Sequence, residues 1–245
     1  MFVALLKRLI CMVVLVVKLV MLAVVAFSIN TSIAAATSVA FSPVNDSVGN
    51  SLQSSADKGR PIILVVGDSI SAAYGIEQSS GWVALLEEKL TAKNLWYKVV
   101  NASVSGSTSA DGLRRLPNLL KQFSPRVVII ELGGNDGLRG YPVKLMKKNL
   151  QQMIDLSQSS NADVLLAGIE IPPNYGMRYT TLFKDAFQQL AATNRDIQYD
   201  PFILDAVATK PELMQDDGIH PTAAAQPQLL INIWDNLYPL LTPQP

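Results

Sequence analysis

The sequence predicts an α/β domain in which a parallel sheet is covered by helices on both faces. From residue 61 onward, short β-branched runs alternate with amphipathic segments of about 15 residues, the pattern typical of βαβ units. The first run, at 62–66, is continuously apolar, as in strands that are buried on both faces. Hydrophobic residues make up 49% of the chain and charged residues 16%, which is enough apolar material for a sizeable core. We therefore expect one domain over 61–245.

Five strands are predicted from the β-branched runs. The first, IILVV, runs directly into Gly67-Asp68, so the chain turns at its carboxyl end. The later runs, such as RVVIIEL, also end at polar or glycine residues. In chain order the predicted strands lie at 62–66, 97–101, 126–132, 163–170 and within 197–204.

Five helices are predicted between and after these strands. Apolar residues at 82, 85, 86 and 90 share one helical face, which is the spacing that packs against a sheet. Prolines modify three of the segments: Pro117 predicts a kink, Pro142 suits a first turn, and Pro227 predicts a bend near the start of the last helix. The predicted helices lie at 81–94, 109–123, 142–159, 179–194 and 222–241.

Residues 1–40 have the organisation of a secretory signal. Positive charge at Lys7 and Arg8 precedes a long apolar stretch, and small residues follow it. We predict a signal peptide with cleavage near Ala36 or Ala40, and a periplasmic or secreted protein. Residues 41–60, rich in Ser, Asn, Asp and Gly, are predicted to be a flexible linker.

An uncleaved membrane anchor is the alternative for the same segment. Residues 9–29 are long enough to span a bilayer, but Lys18 divides them into two apolar runs. A lysine at the centre of a membrane helix costs about 3 kcal/mol. Under this alternative the protein is a membrane-tethered structural or interaction protein, which membrane fractionation would reveal.

The charge balance and the rare residues exclude several classes of protein. Twenty basic and twenty acidic residues cancel, and the three basic residues of 1–40 leave 41–245 with 17 basic and 20 acidic residues. A chain of this balance is not a basic nucleic-acid binder. Cys11 and His220 are each the single residue of their type, which excludes an intrachain disulfide and a multi-histidine zinc site. No partner is indicated by the charge, and we expect a monomer.

Four polar clusters follow predicted strands or precede the last helix. In open α/β sheets ligands bind beyond the carboxyl ends of the strands, so these clusters are expected to meet. Each cluster alone is a weak signal, because the same residue types are common in turns and at helix caps. Together and in this order they are specific. The clusters are GDSIS at 67–71, SVSGST at 103–108, GGNDG at 133–137 and DDGIHP at 216–221.

The clusters contain the groups that acyl transfer needs. Such a reaction requires a nucleophile, a base, a group that orients the base, and donors for an oxyanion. Ser69 follows the first strand and supplies a hydroxyl. His220 supplies an imidazole, and Asp217 lies three residues before it, with Gly218 allowing the turn between them. The Ser69 N–H, the Gly106 N–H and the Asn135 amide are candidate oxyanion donors.

These blocks resemble those of the SGNH (GDSL-type) hydrolases, and the stretches ELGGNDGLRG and MQDDGIHPTAAAQP are similar to the bacterial thioesterase I, lysophospholipase L1 and arylesterase group of that family. The resemblance implies a flavodoxin-like three-layer α/β/α fold with a five-stranded parallel sheet. It implies hydrolysis of thioesters, aryl esters and lysophospholipids with Ser69, Asp217 and His220 as catalytic residues. Ser69, Gly106 and Asn135 are implied as the oxyanion hole, with neither metal nor organic cofactor.

The substrate and the class of protein leave alternatives. The loop Asn174-Tyr175-Gly176 either walls an acyl channel or is a surface turn. Within the enzyme class a carbohydrate O-acetylesterase is the rival, since the fold does not determine the acyl group. A non-catalytic phosphate or nucleotide binder is a further alternative, although the glycines form neither G-x-G-x-x-G nor a P-loop. Membrane contact is expected only through the N-terminal segment or a lipid substrate.

Overall fold

Five parallel strands form a single sheet in the spatial order 2-1-3-4-5. The computed structural model describes residues 59–241, which fall within one compact unit of the chain. This strand order is the flavodoxin-like one, so the predicted fold class is confirmed. The strands are β1 (Ile62–Gly67), β2 (Lys98–Asn101), β3 (Val127–Glu131), β4 (Asp163–Ala167) and β5 (Gln198–Asp200).

Helices cover both faces of this sheet. α1 packs against α6, while α2 packs against α4 and α4 against α5, which gives the two outer layers. β3 is buried along its whole length and β1 is buried from Ile63 onward, as their apolar sequences predict. The helices are α1 (Trp82–Ala92), α2 (Ser109–Phe123), α3 (Gly134–Leu138), α4 (Val143–Ser159), α5 (Met177–Thr193) and α6 (Gln226–Leu237).

Several boundaries differ from those expected. β4 ends at Ala167 rather than at 170, because Gly168 already bonds through its backbone to Asp200 and Ile203 as the chain leaves the sheet. The last helix begins at Gln226, after a 3-10 turn at Ala223–Ala225. The five-residue α3 lies where only a tight turn was expected, since one helical turn is too short to show a periodicity.

The N-terminal predictions lie outside the described residues. This applies to the signal peptide at 1–40 and to nearly all of the linker at 41–60. Within residues 59–241, no helix combines the length and the apolarity that crossing a bilayer requires.

Asp200, the last residue of β5, is expected to destabilise the fold at neutral pH. Burial, with a smaller contribution from Asp205, raises the pKa of Asp200 to about 7, and its Oδ2 has no hydrogen-bond partner within residues 59–241. A carboxyl with a raised pKa in the folded state favours folding at low pH, and this contribution is lost as the pH rises through 7. Asp200→Asn should therefore increase the free energy of unfolding at pH 8 by about 1–3 kcal/mol, measured by urea denaturation.

At pH 4 the same substitution should have little effect, because the carboxyl is then protonated in the folded state and still about half protonated in the unfolded chain. Asp196→Asn, which removes an exposed carboxylate nearby, is the matched control and should change stability by less than about 0.5 kcal/mol. A gain for Asp200→Asn that is equal at pH 4 and pH 8 would contradict this explanation.

Candidate active site

The turn after β1 presents Ser69 at the carboxyl end of the sheet. Gly67 ends the strand beside Glu131 of β3. The backbone then winds back on itself, with Ala72 N–H donating to the Asp68 carbonyl at 3.0 Å. A Cβ at Gly67 would lie 2.7 Å from the Glu131 carboxylate and 2.8 Å from Ser71, so only glycine fits there. This close approach explains the glycine of the first polar cluster.

Glu131 supports this turn from within the core. Its side chain is fully buried, and Ser71 Oγ donates to Oε2 at 2.6 Å while the Asp68 N–H approaches the same oxygen at 3.4 Å. Burial, with the neighbouring Asp68 carboxyl adding to it, raises the pKa of Glu131 well above its ordinary value. The sequence placed Glu131 in a strand but carried no signal that it would lie beneath the nucleophile turn.

Ser69, His220 and Asp217 form one hydrogen-bonded line. The distance from Ser69 Oγ to His220 Nε2 is 2.9 Å, and that from His220 Nδ1 to Asp217 Oδ2 is 2.6 Å. Residues 69 and 220 are 151 positions apart in the chain and come together because the loop before α6 returns to the end of β1. The arrangement places a base next to a hydroxyl and a carboxylate behind the base.

The local sequence of this loop holds Asp217 in place. Its Oδ1 accepts the backbone N–H groups of Ile219 and His220 at 2.9 and 3.0 Å, which closes the turn at Gly218. Burial raises the pKa of Asp217, but the hydrogen bonds from the His220 side chain and these N–H groups outweigh it and lower the pKa to about 2. Asp217 is therefore a carboxylate at any pH at which a hydrolase of this kind works.

Tyr74 is a site residue that the sequence did not single out. Its ring packs against the His220 imidazole, with centroids 4.6 Å apart and planes tilted by 42°. Gln215 Nε2 donates to the Tyr74 carbonyl at 2.8 Å and to the Pro221 carbonyl at 3.0 Å, which joins the two loops. A tyrosine five residues after the nucleophile carries no recognisable pattern, so only the structure could find it.

Asn135 lies on α3, at the end of β3, and its amide faces the nucleophile turn. Asn135 Nδ2 donates to Asp68 Oδ2 at 3.0 Å. The next residue, Asp136, is buried and accepts both the N–H and the hydroxyl of Ser109 at 2.7 Å. This pair of bonds fastens the short helix to the start of α2. Neighbouring strands 1 and 3 thus bring Ser69 and Asn135 together, at the point where the strand order reverses.

Gly106 lies in the loop after β2, which is anchored to the nucleophile turn. Val104 N–H donates to the Gly67 carbonyl at 3.1 Å. Gly106 has a φ of +77°, which favours glycine, and its carbonyl accepts from Arg139 at 3.0 Å. Arg139 directly follows α3, so one arginine links the loop of Gly106 to the helix of Asn135. Gly106 itself does not line the cavity that opens beside Ser69.

A cavity of about 510 Å³ opens beside Ser69. Its floor is apolar and buried, with Ile169, Ile171 and Leu204 among the residues that form it. The cavity is large enough for a small-molecule ligand with a hydrocarbon part. Its wall also contains Asp68, Asn135 and His220, together with Glu170 and Thr209, so polar side chains border the apolar floor.

The loop predicted as a channel wall has a different position. Pro172 and Pro173 line the cavity, whereas Asn174, Tyr175 and Gly176 do not. Tyr175 OH instead donates to the Leu138 carbonyl at 2.8 Å, so the loop braces the last turn of α3. The substrate-binding interpretation of these three residues is not supported by this geometry. The chain lines the cavity at the two prolines that immediately precede this loop.

A serine hydroxyl, an imidazole and a carboxylate in line, next to an apolar cavity on a flavodoxin-like sheet, define the class of α/β serine hydrolases. Residues 65–226 match the model of the GDSL-like lipase/acylhydrolase family. The chain belongs to this family. In the described residues, no group of three His, Cys, Asp or Glu side chains could hold a metal ion.

Relatives of this chain are named as esterases and thioesterases. It is 51% identical over 179 residues to esterase TesA of Pseudomonas aeruginosa, covering 73% of this chain and 89% of the relative. It is 46% identical to an arylesterase of Vibrio mimicus, over 71% and 86% of the two chains. It is 45% identical to thioesterase 1/protease 1/lysophospholipase L1 of Escherichia coli, over 73% and 84%. A crystal structure of TesA covers 74% of this chain and 99% of its own, with a TM-score of 0.72.

Proposed function

We propose that the protein hydrolyses acyl esters and thioesters through an acyl-enzyme formed on Ser69. The observation that carries the proposal is the 2.9 Å distance between Ser69 Oγ and His220 Nε2, with the imidazole held from behind by Asp217. A hydroxyl attacks a carbonyl only when a base can take its proton, and this contact places that base. The family and the names of the relatives support the same reaction.

In the first half of the reaction, Ser69 Oγ attacks the acyl carbonyl carbon and His220 Nε2 takes its proton. The C–O or C–S bond then breaks, and His220 returns the proton to the leaving alcohol or thiol. In the second half, water repeats the attack on the acyl-enzyme and releases the acid. Asp217, ionised throughout, holds the imidazole in the tautomer whose Nε2 can accept a proton.

The oxyanion formed in each half needs hydrogen-bond donors. The Asn135 amide lines the same cavity as Ser69 and is the side-chain donor. We propose the backbone N–H groups of Ser69 and Gly106 as its companions, since Val104 joins the Gly106 loop to the nucleophile turn. Losing one donor of this kind typically lowers the rate by about 10²–10³.

The cavity indicates a substrate with a hydrocarbon acyl chain. The cavity of about 510 Å³ would bind an alkyl chain against its apolar floor of Ile169, Ile171 and Leu204. The ester group would then lie next to Ser69, Asn135 and His220, which line the same cavity. We therefore propose aryl esters, acyl-CoA and lysophospholipids as substrates, in line with the activities in the names of the relatives.

The purified protein should hydrolyse p-nitrophenyl esters, acyl-CoA and lysophosphatidylcholine. Turnover of medium-chain p-nitrophenyl esters should exceed that of the acetate, because only the longer chains fill the apolar cavity. Acetylated xylan or acetylated sugars serve as the comparison substrates. If acetylated carbohydrates are cleaved and longer acyl chains are not, the carbohydrate O-acetylesterase is the correct member of the class instead.

A bulky residue at the exposed rim of the cavity should change the chain-length preference. Ala208 is exposed and lines the cavity, so Ala208→Trp adds an indole over the space without crowding the core. We expect kcat/KM for decanoate esters to fall about tenfold, since burial of two CH₂ groups is worth about 1.6 kcal/mol. Hydrolysis of the acetate ester should change less than about twofold.

Lys210→Trp is the matched control, because Lys210 is also exposed but does not line the cavity. It should leave both rates unchanged. Equal losses for acetate and decanoate with Ala208→Trp would mean that the acyl chain does not lie in this cavity.

We also propose export of the protein by its N-terminal segment. The charged start, the apolar stretch and the small residues before Ala36 and Ala40 support this. Edman sequencing of the mature protein from an expressing bacterium should show a new N-terminus after one of these two alanines. Recovery of the intact chain in the membrane fraction would support the uncleaved anchor, and gel filtration of the mature protein tests whether it is a monomer.

A further inference from the structure

The cavity wall contains a carboxyl that takes no step in the proposed reaction. Asp68 precedes the nucleophile, and its side chain is only 2% exposed although it lines the cavity. Its Oδ1 accepts the Ile70 N–H at 3.1 Å and its Oδ2 accepts Asn135 Nδ2 at 3.0 Å. Burial raises the pKa of Asp68 to about 6, while the Ile70 and Asn135 hydrogen bonds act in the opposite direction. A buried carboxylate without a bound cation is unfavourable unless its hydrogen bonds compensate.

The orientation of the Asn135 amide decides whether it helps or opposes the reaction. Its oxygen and its NH₂ group have nearly the same shape, so a half-turn exchanges them at little steric cost. With the nitrogen towards the oxyanion the amide donates a hydrogen bond, and with the oxygen there it repels the charge. Something must therefore select one of the two orientations.

Asp68 makes this selection. A carboxylate only accepts hydrogen bonds, so its Oδ2 attracts the NH₂ side of Asn135 and repels the amide oxygen. One N–H of Asn135 is used in this bond. The other has no protein acceptor among residues 59–241 and is available to the cavity that both residues line.

We propose that Asp68 is a positioning residue for the reaction, which holds the Asn135 amide with its nitrogen towards the developing oxyanion. The inference rests on the proposed function of the site, and it concerns a side chain whose hydrogen bonds within residues 59–241 are with Ile70 and Asn135 and not with the attacking oxygen or the base.

Asp68→Asn tests the proposal without changing the shape of the side chain. The Ile70 N–H still requires an oxygen at the Oδ1 position, so the new NH₂ must stand where Oδ2 stood. That NH₂ will bind the oxygen of Asn135 and turn its amide the wrong way round. We expect kcat to fall about 10²-fold, as for the loss of one oxyanion donor, with KM changed less than about threefold because the ground state makes no such bond.

A double-mutant cycle with Asn135→Ala separates this role from a structural one. Once the amide is absent, Asp68→Asn should lower kcat less than about threefold. The same loss in both backgrounds would overturn the proposal. Glu131→Gln is the matched control, because this buried carboxyl contacts Ser71 and the Asp68 backbone but not Asn135. Glu131→Gln should change kcat by the same factor whether residue 135 is asparagine or alanine.

Two further measurements keep the outcomes distinct. Asp68→Ala removes the acceptor without adding a donor, and it repeats the double-mutant cycle with a second substitution. It should lower kcat when Asn135 is present and have little effect on kcat in the Asn135→Ala background. Labelling of Ser69 by a fluorophosphonate, with peptide mapping, examines the proposed function itself. A parent protein unlabelled at Ser69 would refute that function, whereas labelled variants with additive losses in kcat would refute only the role of Asp68.

Discussion

Ser69→Ala is expected to reduce kcat for p-nitrophenyl butyrate by about 10⁶-fold, the size seen when a hydrolytic serine is removed. The alanine has no oxygen to attack the acyl carbon, and His220 loses the group from which it takes a proton. Within residues 59–241, Ser69 Oγ is the one hydroxyl that forms a hydrogen bond with His220 Nε2, so no other hydroxyl of this part of the chain is placed to take over. Steady-state hydrolysis and loss of fluorophosphonate labelling both measure the effect.

The fold should survive this change. Ser69 is half-buried, and the turn around it is held by Glu131 and by backbone hydrogen bonds rather than by the Ser69 hydroxyl. The melting temperature should therefore stay within about 2 °C of the parent protein. Ser105→Ala, in the exposed loop after β2, is the control and should retain full activity. Hydrolysis by Ser69→Ala above one-hundredth of the parent rate would exclude Ser69 as the nucleophile.

A parallel sheet with helices on both faces could be predicted because the sequence pattern is strong at the scale of whole elements, whereas the flavodoxin-like arrangement was implied by the family resemblance. The continuous apolar run at 62–66 predicts a strand buried on both faces, and this is the central strand β1. The run at 126–132 predicts a further strand, and this is β3. Element ends were less predictable. The helix around Pro117 has the predicted bounds, Ser109–Phe123, whereas β4 ends early at Ala167, because contacts elsewhere in the fold decide such positions.

The parts of the site that are local in sequence were also predictable. Asp217 and His220 are three residues apart, with a glycine between them that allows the turn, so their contact follows from the loop alone. Ser69 and Asn135 follow adjacent strands, and a parallel sheet brings the ends of such strands together. The distance between Ser69 and His220 depends on how the loop before α6 packs against the end of β1. The order of the clusters indicated that the two residues would meet, but the sequence does not determine the distance between them.

The supporting residues could not be predicted, since they act through contacts between distant segments. Glu131 is charged and stands at the end of an apolar run, where a solvent-exposed position is the usual expectation. Its burial depends on the space that Gly67 leaves and on the hydroxyl of Ser71. Tyr175, for which a channel wall and a surface turn were both open, braces α3, because its phenol donates to the carbonyl of Leu138 at the helix end.

Asp217→Asn is expected to lower kcat by about 10⁴-fold while leaving the shape of the site almost unchanged. The two backbone N–H groups of Ile219 and His220 require an oxygen at the Oδ1 position. The amide nitrogen must then stand at Oδ2, opposite His220 Nδ1, and donate a hydrogen bond to it. This forces the hydrogen of the imidazole onto Nε2, which faces Ser69 and can no longer accept its proton.

Asp216→Asn is the control, since it removes the same charge from the adjacent exposed residue and should change kcat less than about twofold. The rate of fluorophosphonate labelling should fall with kcat in Asp217→Asn, because both reactions need Ser69 to lose its proton. A decrease of less than tenfold in either rate would mean that Asp217 only anchors the loop. An asparagine at this position could fill such an anchoring role, because its amide oxygen can accept the same two N–H groups. Asp217 would then have no part in selecting the tautomer of His220.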